Sequence, residues 1–205
     1  MFGSVHCVVA LAVVAVLTGC GRSSEPQTFS AADAKWVASV RPTTPGWTWP
    51  RNPISPDPST RDDLDVNSTD PLQEALDREL VDAGAIEGAV GGSKWRDDTK
   101  LANLAAGVFE SATGAHAAMA AIRVFARGWG ERSGDVIRDE EIDGLGDEAW
   151  RLWVGGNGVQ VTYEWRRGNL VLEAHIHCFD VCPPDVDSLT RVWVDAIDEE
   201  ARTER

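Results

Sequence analysis

The 205-residue chain carries 33 Asp and Glu against 19 Lys and Arg, a formal net charge of −14. Neutralising phosphates needs clustered cations, but Lys35, Lys94 and Lys100 are its only lysines and no dense basic run occurs, which argues against nucleic acid as a partner. With 43% apolar and 25% charged residues, the composition is that of an ordinary globular protein rather than a disordered or collagen-like one.

Residues 8–17 (VVALAVVAVL) form an unbroken apolar run followed at once by Thr18, Gly19 and Cys20. At 1.5 Å per residue such a run reaches about half of a ~30 Å hydrocarbon core, too short for a spanning helix but the length of a signal-peptide apolar segment. Leu17-Thr18-Gly19-Cys20 resembles the bacterial lipobox, in which small residues admit the signal peptidase and the cysteine, alkylated by diacylglycerol, becomes the new N-terminus. The resemblance implies a signal peptide over residues 1–19 and lipidation of Cys20. It also implies membrane attachment through acyl chains, worth ~0.8 kcal/mol per buried CH₂, on the extracytoplasmic side. The segment before the run holds His6 but no Lys or Arg, a departure from the usual positive start; a translation start annotated too far downstream would account for it.

Removal of Cys7 and lipidation of Cys20 leave Cys178 and Cys182, which are expected to form a disulfide in an oxidising compartment. The loop they close is very short, so its entropic contribution lies at the low end of ~2–4 kcal/mol. A metal or redox use of this CxxxC pair lacks further cysteine partners.

In chain order, residues 21–30 read as a small, polar tether, and 31–40 as a short helix around Trp36. Pro42, Pro45, Pro50, Pro53, Pro56 and Pro58 forbid helix or central strand in the next stretch. Trp47 and Trp49 within it argue that this arm folds back on the domain, because indoles are poorly left wet. Residues 20–69 are thus the lipidated N-terminus and a Pro/Trp-rich arm, and 70–205 a single domain. Asp70-Pro71-Leu72-Gln73 reads as N-cap, proline at the first helical position and capping-box glutamine, with Leu72, Leu76, Leu80 and Ala83 at helical spacing and Gly84 as the stop. Leu104, Ala106 and Val108 suit a strand, while Leu101, Leu104 and Val108 suit a helix. A helix from Thr113 to Gly128 has the stripe Ala115, Met119, Ile122, Phe125 and Trp129, with His116, Arg123 and Arg127 opposite. Residues 136–142 read as a strand.

Val159, Val161, Tyr163 and Trp165 alternate with Gln160, Thr162, Glu164 and Arg166, the pattern of a strand with one buried face. Gly168-Asn169 is a two-residue hairpin signal that pairs Trp165 with Leu172, Tyr163 with Ala174 and Val161 with Ile176. Upstream, a loop over residues 155–158 pairs Val154 with Val159, Leu152 with Val161 and Trp150 with Tyr163. These registers place every large apolar residue of the meander 149–178 on one face, except Trp153 and Val171. Val186, Leu189, Trp193, Ala196 and Ile197 mark a last helix. The fold class expected is α+β: an antiparallel sheet, this meander plus one or two further strands, with two to three helices packed on one face.

The same register puts Glu164 opposite Glu173, Thr162 opposite His175 and Gln160 opposite His177 on the polar face. Glu173, His175 and His177 point the same way along one strand and could ligate a divalent metal, although Arg151 and Arg166, diagonal to the two glutamates, would neutralise them without one. The polar face could equally serve as a docking surface for a ligand or a protein. Asp63, Asp65 and Asn67, with Glu74 at position twelve, partly match a calcium loop; Ser68 stands where a glycine is required and Pro71 enters the loop, so the Asp70 cap explains these residues more simply. Residues 144–149 (GLGDEA) match a dinucleotide fingerprint on paper, but a strand follows and Asp147 and Glu148 would repel phosphate, leaving a tight turn. No nucleophile motif and no HExxH occurs, so neither catalysis nor a cofactor is expected.

GLGDEA at 144–149, then WRRGN at 165–169 leading into an apolar strand and a final helix, resembles small secreted lipoproteins of high-GC Gram-positive-type envelopes. Among these are domains similar to the extracellular sensor modules of some bacterial Ser/Thr kinases. The resemblance covers residues 100–205 and implies an antiparallel sheet with helices on one side, often bearing a disulfide and without known catalysis; it brings no functional residues with it. The reading that follows is a lipid-anchored envelope domain that binds a small ligand or an envelope protein. The rivals are a metal-dependent enzyme using the Glu173, His175, His177 face, and a purely structural role.

Overall fold

Gly168 takes the left-handed conformation (φ 53°) at the first position of the predicted turn, as a type II′ hairpin demands. From it β6 (Gly158–Arg167) and β7 (Leu170–Cys178) run antiparallel with Trp165 opposite Leu172, Tyr163 opposite Ala174 and Val161 opposite Ile176, the expected register. The structure is a computed structural model that describes residues 27–57, 67–156, 158–179 and 182–203. The apolar run, Cys20, Asp63 and Asp65 lie outside the described residues.

Around this hairpin are β1 (Ser55–Asp57), β2 (Ala85–Arg96), β3 (Lys100–Phe109), β4 (Gly134–Glu141) and β5 (Glu148–Gly156), in the sheet order β1-β2-β3-β7-β6-β5-β4, with every pairing antiparallel. The helices are α1 (Ala31–Val37), α2 (Pro71–Asp82), α3 (Ala112–Ser133) and α4 (Val186–Arg202). The chain is therefore α+β with a seven-stranded antiparallel sheet. Asp70 caps α2 by accepting a hydrogen bond from the Leu72 amide (2.9 Å), with Pro71 at the first turn; Gln73 donates to Asp77 instead of closing a capping box. Residues 100–109 resolve to strand, with Ala102, Leu104, Ala106 and Val108 buried at period two. β2 has no counterpart in the sequence reading, because its Gly- and Ala-rich stretch lacks alternation and a bulge interrupts it between Ala85 and Val90.

Two expectations are corrected together. β5 pairs with β6 one residue away from the sequence register: Gly156 faces Gly158, Trp153 faces Val161, Leu152 faces Thr162 and Trp150 faces Glu164. That slip turns Trp150, Leu152 and Val154 to the face opposite Val161, Tyr163 and Trp165. Helices consequently cover both faces, not one. On the first face α1 and α4 pack on Trp95, Leu104, Tyr163, Trp165, Leu172 and Ile176. On the second, α3, with Leu80 and Ala83 beside it, covers Phe109, Trp150, Leu152, Val154 and Val171. Once both faces are buried, apolar residues at successive positions of β5 are all accommodated, and hydrophobicity no longer selects the register.

α4 docks through Arg167, whose Nε and Nη2 donate to the two oxygens of buried Asp198 (2.6 and 2.7 Å), and through Tyr163, whose hydroxyl donates to Asp187 Oδ1 (2.7 Å). Trp193 stacks edge-on against Trp95 (6.0 Å) and donates its indole N–H to Val40 O. The compact unit also begins earlier than Asp70. Phe29, Ala34, Val37 and Trp49 belong to the first core and β1 pairs with β2, so the Pro/Trp arm does fold back. Asn169 fastens it: its Oδ1 accepts from the Phe29 amide (2.7 Å), and its Nδ2 donates to Phe29 O (3.1 Å) and Phe109 O (2.8 Å). Cys178 and Cys182 are disulfide-bonded, their Cα atoms 5.5 Å apart.

Replacing Asn169 with Ala leaves buried backbone groups at Phe29 and Phe109 without partners. Stability should fall by about 3 kcal/mol in urea titration, at about 1–3 kcal/mol per stranded group. Limited proteolysis should then cut first within residues 27–57; unchanged cleavage there would show that the arm is held by other contacts.

Candidate functional site

Ser111 starts α3 by accepting from the Gly114 amide (3.0 Å), two residues before the Thr113 cap expected from the sequence, and Ala-rich turns carry the helix across the second face of the sheet. A Cβ at Gly130 would lie 2.9 Å from Val154 Cγ2, so glycine there lets the end of α3 sit hard on β5. Towards β7 the helix stands off, leaving a cleft of 340 Å³. Its helix wall is Phe125, Ala126 and Trp129; its floor is Leu101, Gln160, Thr162, Glu173, His175 and His177. The floor is built by register, with Thr162 opposite His175 and Gln160 opposite His177 on β6 and β7, and Leu101 opposite His177 on β3.

Glu173, His175 and His177 therefore do line one cleft, but they do not converge on a point. His175 Nδ1 stands 3.4 Å from Glu173 Oε1, and the His177 ring packs edge-on against Phe179 (4.9 Å). Among the described residues no group of three or more potential ligands is placed to hold a metal ion. Side chains two apart on a strand start ~6.6 Å from one another; Glu173 and His175 lean together while the His177 ring packs on Phe179. Of the calcium-loop residues that are described, Glu74 pairs with Arg78 one helical turn on, and Asn67 lies exposed before the Asp70 cap. Residues 144–147 bend the chain into β5, with positive φ at Gly144 and Gly146.

Glu164, opposite Glu173, is fully buried (0% exposed), and among the described residues neither of its carboxyl oxygens has a hydrogen-bond partner. Burial, then the neighbouring Glu173 charge, pushes its carboxyl well above the usual carboxylate range; Arg123 offsets this only in part. The guanidinium groups expected to neutralise the two glutamates are committed elsewhere, which corrects that reading. The register slip puts Arg151 opposite Tyr163 on the α4 face, where it pairs with Asp187 (2.5 Å) and Glu140. Arg166 shares the Glu164 face but donates to Glu148 (2.7 Å), Asp147 (3.4 Å) and Gly168 O (2.9 Å). Arg123 binds Asp139 (3.2 Å) and Glu141 (3.1 Å) and lies over the Trp150 ring. Near that end of α3, His116 Nδ1 lies 2.8 Å from Glu148, beside a hollow of 440 Å³ formed with residues 141–150.

The sequence reading placed Glu164 on a solvated polar face and so missed its burial. The available signal was a lone carboxylate between Tyr163 and Trp165 in a strand that is apolar on one face.

No protein-family model matches the chain, and no curated protein does. Among solved structures it is similar to the crystal structure of the extracellular domain of PknH from Mycobacterium tuberculosis. The TM-score is 0.53 at 13% identity, over 85% of this chain and 99% of that one. At this identity the likeness concerns the fold. Among the described residues no helix is long and apolar enough to cross a membrane.

The raised Glu164 pKa has a definite sign. From about 4.5 upward the unfolded chain has lost this proton while the folded chain keeps it, so folding stability declines as pH rises towards the folded value. Glu164→Gln should abolish this share of the slope. Urea midpoints of variant and parent should diverge as pH rises above about 4.5, the variant gaining, until the folded value is passed; parallel curves would mean that Glu164 ionises freely in the fold.

Proposed function

We propose that the chain is a lipid-anchored extracytoplasmic protein whose domain binds a small ligand, without chemistry, in the cleft between α3 and β7. The observation that carries this is the cleft itself. At 340 Å³ it lies within the ~300–1,000 Å³ range of small-molecule sites, and it joins an aromatic wall to a floor of hydrogen-bonding side chains. A shared fold with an extracellular domain supports the location, as does the resemblance of residues 100–205 to kinase sensor modules. The Cys178–Cys182 disulfide suits an oxidising compartment. Anchoring rests on the lipobox-like Leu17-Thr18-Gly19-Cys20. With Cys20 holding the domain at the bilayer, the arm fastened at Asn169 gives α3 and the cleft a fixed attachment to the tether.

Anchoring is checked in cells fed labelled palmitate: label should enter the parent and be absent from Cys20→Ala, and equal labelling of both would remove the anchor. Ligand binding is checked by exposing purified protein to a small-molecule extract of the envelope, washing, and identifying heat-released compounds by mass spectrometry. Trp129 is 41% exposed, so Trp129→Ala should keep the fold and lose about 0.5–1.5 kcal/mol of binding, a several-fold drop in the retained species. A retained set indifferent to Trp129, or an empty one, counts against the cleft.

A further inference from the structure

The chemistry of the cleft walls narrows the ligand. None of the described residues lining it is Lys or Arg, while Glu173 presents a carboxylate whose described partner is His175 alone, at 3.4 Å. One strand over, opposite Glu173, Glu164 is fully buried, and among the described residues neither of its oxygens has a hydrogen-bond partner. Arg123 is held by Asp139 and Glu141 and Arg166 by Glu148 and Asp147, while Arg151 lies on the other face of the sheet with Glu140 and Asp187. The cleft thus presents one carboxylate, Glu173, with no lysine or arginine among its lining residues, and the buried Glu164 opposite it adds to the local excess of acidic groups.

The opposite wall points the same way. Elsewhere this protein lays cations on its indoles: Lys100 over Trp47 (5.4 Å) and Trp49 (5.2 Å), Arg138 over Trp153 (5.1 Å) and Arg123 over Trp150 (5.5 Å). Trp129, which lines the cleft with Phe125, has no such described partner and is 41% exposed. Aromatic side chains and a carboxylate lining one cleft are the groups that recognise organic ammonium ions. The net charge of −14 adds a field that concentrates cations near the surface. An anionic ligand would meet Glu173 without a guanidinium to hold it, and a bare divalent metal would lack a convergent ligand set.

We propose that the cleft recognises an organic cation, an ammonium group paired with Glu173 whose flat or apolar body lies against Trp129 and Phe125. This rests on the ligand-binding reading above and names the class of ligand. The test uses the full chain in nonionic detergent and three probes of one shape: phenethylamine, its neutral analogue 2-phenylethanol, and phenylacetate. Isothermal titration should give the amine about tenfold tighter binding than the alcohol, and no binding of the acid. Glu173→Gln should erase the preference for the amine while leaving the alcohol unchanged; Trp129→Ala should weaken both. If Glu173→Gln does not fold, the comparison of amine with alcohol on the parent still decides. Equal affinity for amine and alcohol, or preference for the acid, overturns the cation while leaving a ligand cleft in place. No binding of any probe at millimolar concentration overturns the cation in this cleft, and only an empty envelope extract as well removes the ligand-binding reading.

Discussion

Burying both faces of one antiparallel sheet is the constraint from which the other features of this structure descend. Each central strand must satisfy two cores at once, so Tyr163 and Trp165 go to the α4 side while the residues between them go under α3. Where the second face receives Trp150, Leu152 and Val154, α3 packs closely and Gly130 lets it touch. Where the second face receives Glu173, His175 and His177, close packing would strand polar groups, and the helix stands away. The cleft is the boundary between these two regimes on a single sheet face.

Electrostatics is distributed unevenly over the same architecture. Most arginines are consumed in fastening elements together: Arg167 to Asp198, Arg151 to Asp187, Arg166 to Glu148, Arg132 to Asp70. In a chain with 33 acidic and 19 basic residues, such use exhausts the cations before every carboxylate is matched. Glu164 is held by burial well above the usual carboxylate range, and Glu173 lies on the floor of the cleft. A carboxyl group buried without a described hydrogen-bond partner lowers the stability of the core that holds it.

The arm connects these features to the tether. Trp49 and Phe29 bury against the first core, and Asn169, sitting in the same turn that sets the β6–β7 register, fastens Phe29 and Phe109 at once. Turn geometry, arm docking and the order of the hairpin are therefore one cooperative unit. The cleft lies on the far side of the sheet from the arm.

The hairpin from 158 to 178, the caps of α2 and the helical phase of α4 were legible in the chain because each depends on neighbours within a few residues: an alternation of two, a turn glycine, a proline after an acidic cap. The strand triplet Glu173, His175, His177 was legible as one facing set for the same reason. The β5 register was not, since a strand apolar on both faces offers no preference between pairings one residue apart, and from that slip follow the two-sided layering and the reassignment of Arg151. β2 escaped because glycine and alanine carry no pattern until β3 lies beside them. Glu164 shows the division most plainly: its identity and its partner Glu173 could be read from alternation, but whether water or α3 covers them depends on where a helix forty residues away comes to rest, and only the assembled tertiary structure decides that.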